Sequence, residues 1–115
     1  MEVSDIKKQI EVILDNNKAK NIVSIDLKKK SYIADYMIIA SGTSSRHLQS
    51  LSENLVSELK KIGVVNCRIE GRESADWKLV DVIDVIVHIF NPEKREFYDL
   101  EKMWSETIPK EKASI

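Results

Sequence analysis

A chain of 115 residues fits one compact domain, because domains run from roughly 50 to 200 residues. Hydrophobic residues make up 43% and charged residues 32%, which excludes global disorder. The 18 basic and 19 acidic residues leave a charge of -1, without the basic field that binding to bare nucleic acid draws on, so a protein partner and little direct RNA binding are expected.

The lone Cys67 rules out an internal disulfide and a zinc site built from cysteines. Apolar runs such as Val85 to Phe90 are far shorter than the roughly 20 residues that cross a bilayer, so no integral membrane protein is expected. The opening Met-Glu-Val-Ser-Asp has the character of neither a secretion signal nor a transit peptide, which points to the cytoplasm.

Ile6, Ile10, Ile13 and Leu14 recur at helical spacing behind Ser4 or Asp5 as caps, with a stop at Asn16-Asn17. Asn21 to Leu27 alternates like a strand, and Lys28-Lys29-Lys30 follows as a solvated turn. Tyr36 to Ala40 reads as a buried strand that runs through Ser41-Gly42 into a helix capped by Ser44 or Ser45. That helix carries Leu48, Leu51, Leu55, Leu59 and Ile62 in one stripe and stops at Gly63. Asn66 to Glu70, Asp76 to Asp81 and Ile83 to Phe90 read as three more strands, the last two as a hairpin. After Pro92, the spacing of Phe97, Leu100 and Trp104 predicts a closing helix over about Glu93 to Ser105. The fold class is therefore α/β: a single domain over 1–107, with a mixed five-stranded sheet and about three helices, and a mobile tail over 108–115.

The turn Ser41 to His47 joins a strand to a helix, as in nucleotidyltransferase openings, but such enzymes hold magnesium on two carboxylates at i, i+2 spacing. Here Asp81 and Asp84 are three apart, so on a regular strand they point to opposite faces. A transferase using Ser44 with Asp81 or Asp84 is thereby weakened, and no metal site or catalytic residue is expected. His47, His88 and Cys67 read as structural or surface residues rather than as a catalytic pair. Alternation puts Trp77 and Leu79 on one sheet face behind the charged loop Glu70 to Ser74. The strand context allows Trp77 as core, and its polar flanks allow it as an interface anchor.

Three runs, DYMIIASGTSSRH (Asp35 to His47), EGRESADWKLVDVIDVIVHIF (Glu70 to Phe90) and REFYDLEKMW (Arg95 to Trp104), resemble the ribosomal silencing factor, or iojap, family in order and spacing across nearly the whole domain. The resemblance implies a nucleotidyltransferase-like fold without the transferase metal site, no cofactor, and a non-enzymatic repressor of translation. It implies binding to the large ribosomal subunit through the universal large-subunit protein numbered fourteen, which would block joining of the small subunit; a role in large-subunit assembly through the same contact is the alternative. Carried over by residue, the contact falls on Trp77, Lys78 and Leu79, flanked by Asp76 and by Gly71, Arg72 and Glu73, with Tyr98 contributing. A tendency to form homodimers is also implied.

Overall fold

The computed structural model describes residues 1–30 and 32–99, without the side chains of Phe97 and Tyr98. Helix α1 (Val3–Asn16) opens on a capping box between Glu2 and Asp5, so the cap falls two or three residues before the Ser4 or Asp5 expected from sequence. Strands β1 (Lys20–Asp26) and β2 (Tyr36–Ser41) follow, then α2 (Ser45–Lys61), whose N-cap Ser44 accepts the N–H of His47. The edge strand β3 (Arg68–Glu70), the hairpin β4 (Trp77–Asp81) and β5 (Val85–Phe90), and helix α3 (Pro92–Tyr98) complete the order.

The sheet runs β1-β2-β5-β4-β3, with β2 and β5 parallel and every other pair antiparallel. The mixed sheet expected from the connection lengths is thus present, and the parallel partner of β2 is β5. All six residues of β2 are buried, whereas Ile86 and His88 of β5 are only half-buried. On one face Tyr36, Ile38, Ala40, Val80, Val85, Val87 and Ile89 pack under α1 and α2. On the other, Ile25, Leu27, Met37, Ile39 and Phe90 cluster with Val23 and Trp77.

Three expectations shift. Ile62 leaves the apolar stripe: it caps α2 at 40% exposure, beyond the last turn that Leu59 seals against the core. Strand β3 is shorter than Asn66 to Glu70, since β4 ends at Asp81 opposite Arg68 and leaves Asn66 no strand to pair with. The α3 helix closes on Asp99, which is left-handed at φ 46°, and the expected reach to Ser105 and the tail over 108–115 lie outside the described residues.

Candidate partner-binding site

The loop from Gly71 to Asp76 leaves the edge strand and returns into β4, and it is built around the side chain of Lys78. Alternation sends Lys78 to the helix side of the sheet, where it is 3% exposed. Its ammonium donates to three loop carbonyls, Gly71 O at 2.9 Å, Arg72 O at 2.7 Å and Ser74 O at 2.8 Å, so all three of its donors are used. Ser74 Oγ accepts the backbone N–H groups of Asp76 and Trp77, closing the loop from its other side. Arg72 and Glu73 are left exposed at the tip, and no ion pair among the described residues involves either.

Trp77, Leu79 and Asp81 face the opposite way, each half-buried. The Trp77 indole lies over Gly71, where an added Cβ would come within 2.7 Å of Cε3 and 2.8 Å of the Trp77 carbonyl. Gly71 also sits at φ 77°, a backbone region that disfavours any side chain. Gly71→Ala is therefore expected to cost about 2 kcal/mol and to tilt the indole, read as a lower melting temperature with a changed tryptophan fluorescence. A variant that melts with the wild type would break the link between Gly71 and Trp77.

Indole Nε1–H donates to His88 Nδ1 at 3.3 Å, and the imidazole stacks on Phe90 with centroids 5.7 Å apart. Burial pushes the His88 pKa down to about 4, which keeps the ring in the form that accepts this bond. The folded pKa lies below the unfolded value, so the stabilisation is complete above about pH 6.5 and is lost as pH falls towards the folded value, by up to about 3 kcal/mol. Urea midpoints at pH 7 and pH 4.5 are expected to differ less for His88→Gln than for the wild type. Equal drops in both would assign the acid sensitivity to other groups.

Asp76 joins this loop to α3. Its carbonyl accepts Asn91 N–H at 3.0 Å, its carboxylate accepts Asn91 Nδ2 at 2.6 Å, and Asn91 Oδ1 in turn caps α3 at Lys94 N–H. Tyr98 ends α3, but its side chain lies outside what is described.

The transferase-like elements are built for structure. Gly42 is buried, and a Cβ there would meet Leu48 Cδ2 at 2.6 Å. His47 accepts Thr43 N–H at Nδ1 and its Nε2 lies 2.9 Å from Asn17 O, tying the turn to the end of α1. A turn does separate Asp81 from Asp84, so strand parity does not by itself keep them apart; instead Asp81 Oδ1 accepts Ile83 N–H at 2.8 Å. Among the described residues no group of three His, Cys, Asp or Glu side chains could hold a metal ion. Cys67 is half-buried, and burial, with Asp81 nearby, raises its thiol pKa, which disfavours a nucleophilic role.

Comparison with known proteins decides the family. The family model described as ribosomal silencing factor during starvation matches residues 2–115. The chain is a member of the ribosomal silencing factor family. A ribosomal silencing factor from Zymomonas mobilis is 47% identical over 91 residues, which is 79% of this chain and 68% of that protein. A crystal structure of a Chromobacterium violaceum protein superposes with a TM-score of 0.87 at 37% identity, covering 91% of this chain and 88% of that one. A mouse protein named mitochondrial assembly of ribosomal large subunit protein 1 is 36% identical over 81% of this chain and 42% of its own length.

The silencing factor family is named for regulation rather than catalysis. Of the residues that the family resemblance singles out, Gly71, Asp76, Trp77 and Leu79 come together at the β3–β4 edge of the sheet, whereas Arg72 lines a groove on the helix face with Gln49, Ser52, Glu53, Ile69 and Lys78. Lys78 stands apart, since its side chain points beneath the loop and meets the backbone instead of solvent. Ser74 and Asn91 are functional-site neighbours that sequence reasoning misses, and His88 reads from sequence as a structural or surface residue rather than as the partner of Trp77. The signal for His88 was the hairpin register, which sets Leu79 opposite His88 and Trp77 opposite Phe90.

Proposed function

We propose that this silencing factor binds the universal large-subunit ribosomal protein numbered fourteen through the Trp77–Leu79 strip and the Gly71–Asp76 loop, and that its bulk there keeps the small subunit from joining. The observation that carries this reading is a half-buried Trp77 held by Gly71 and His88 beside a loop pinned by a buried lysine. A fixed aromatic anchor beside exposed charges is the composition of a specific but releasable protein interface. Pre-ordering by Lys78 removes part of the entropy cost of binding. In this account Trp77, Leu79, Arg72 and Glu73 touch the partner, Asp76 and Lys78 hold them in place, and Tyr98 contributes from α3.

Steric exclusion needs no cofactor and no bond chemistry, and it takes place in the cytoplasm, where ribosomal subunits meet. The mouse relative's name supports a second reading, in which the same contact assists assembly of the large subunit. A titration of the isolated ribosomal protein against the wild-type chain tests the shared contact. Saturable binding that is lost in Arg72→Glu/Glu73→Arg is expected, and no binding by a folded wild-type chain would overturn both readings.

A further inference from the structure

His88 stands in the middle of the sheet face turned away from α1 and α2. The hairpin register sets it opposite Leu79, and the parallel register sets it opposite Ile39. Ile86 and Phe90 share its face along β5, and Trp77 reaches it from β4. Trp77, Leu79, Ile86 and His88 are each half-buried and form the open part of that face, whereas Ile39 and Phe90 are buried.

The bond from the Trp77 indole settles where the imidazole carries its proton. An indole nitrogen only donates, so His88 Nδ1 accepts and bears no hydrogen. Burial keeps the ring neutral at neutral pH, and a neutral imidazole has one N–H, which is therefore at Nε2. Nε2 lies at the edge of the ring far from the backbone, and no described residue accepts from it.

That donor decides what can cover Trp77. A partner laid over Trp77, Leu79 and Ile86 strips water from the neighbouring Nε2–H, and a donor desolvated without an acceptor weakens binding. An acceptor on the partner removes the penalty. The surrounding charges and the ring itself show which acceptor fits. On this face β3 contributes Arg68 and Glu70 and β4 contributes Asp81, with Asp76 just ahead of Trp77. From β2 come only Met37, Ile39 and Ser41, and beyond Phe90 the Arg95 guanidinium donates to Ser41 Oγ at 2.8 Å. A partner carboxylate at Nε2 would meet the field of Glu70 and Asp81. It would also favour the doubly protonated ring, whose second proton, at Nδ1, breaks the bond to the indole. A carbonyl oxygen accepts from Nε2 and leaves Nδ1 to Trp77.

We propose that His88 is itself a contact residue of the partner site, its Nε2–H donating to a carbonyl oxygen of the ribosomal protein seated over Trp77, Leu79 and Ile86. This inference rests on the contact proposed above. One ring then has two tasks: Nδ1 fixes the aromatic anchor, and Nε2 selects against a surface that brings a donor or an aliphatic group to the same point.

Two substitutions divide the ring between them. His88→Asn puts an amide at the place of Nδ1, so its oxygen still accepts the indole while nothing reaches the place of Nε2. His88→Gln puts an amide N–H near the place of Nε2 and gives up the acceptor for Trp77. Titrated at pH 7.5 against the isolated ribosomal protein numbered fourteen, His88→Asn is expected to bind about tenfold more weakly than the wild type, and His88→Gln within about threefold of it. The reverse order, or equal losses in both, limits His88 to packing and to holding Trp77, and overturns the proposal. Should His88→Asn fail to fold in a thermal melt, the glutamine variant alone decides: binding within about threefold supports the contact, and a loss of about tenfold rejects it. Wild-type affinity is expected to stay level from pH 8 to pH 6. An affinity that rises as pH falls, and rises less in His88→Gln, marks a carboxylate acceptor and overturns the carbonyl. If Trp77→Ala loses binding while His88→Asn keeps it, the His88 contact alone fails, whereas a folded wild type that does not bind overturns the reading on which it rests.

Discussion

Lys78→Met is expected to lower stability by about 3 kcal/mol and to abolish binding to the ribosomal protein, although the lysine itself touches no partner. Methionine fills the same space but donates nothing, so the Arg72 and Ser74 carbonyls lose the ammonium that they accept from, and the Gly71 carbonyl keeps only the N–H of Ser74. Each buried, unsatisfied carbonyl costs about 1–3 kcal/mol, and relief from burying an ammonium offsets part of the sum. Against a total stability of about 5–15 kcal/mol the remainder is large. A urea melt beside a binding titration checks it. A surface contact residue would give the reverse pattern, weaker binding at an unchanged midpoint, and that result would return Lys78 to the interface.

Trp77→Ala is expected to weaken binding by about 2 kcal/mol or more, roughly thirtyfold, while the fold loses only about 1–2 kcal/mol. The modest stability cost follows from half-burial: one face of the indole packs on Gly71 and the second cluster, and the remainder meets solvent. Trp77→Phe separates the parts, since it keeps packing over Gly71 and loses only the hydrogen bond to His88. Its binding should fall between those of the wild type and the alanine variant. If Trp77→Ala melts far below the wild type, the residue belongs to the core; if affinity is unchanged, it lies outside the site.

Periodicity was enough for the element order and the sheet type, because apolar stripes at 3.6 and alternation at 2 report directly on which face is buried. The same parity puts Trp77 and Leu79 on one face; the family resemblance places Lys78 in the contact with them, but the structure turns it inward, where its ammonium meets the carbonyls of the Gly71 loop. Boundaries slipped where tertiary pairing sets them. Asn66 is strand-like in sequence but has no partner across from it, and the strands expected at Asp76 to Asp81 and Ile83 to Phe90 left one residue for a turn that takes three. The left-handed Ile83 was invisible to propensity, which expects glycine, asparagine or aspartate there. The bond between Trp77 and His88 depends on hairpin register, which became countable only once the turn was placed at 82–84.

Subunit joining reads out the proposed blockade itself. Purified large and small subunits, each competent to associate, are mixed in magnesium with a saturating amount of this chain and resolved by sedimentation. Fewer joined ribosomes are expected with the wild type, and recovery of joining with Trp77→Ala at the same concentration. Undiminished joining in the presence of saturating wild-type protein would contradict the blockade.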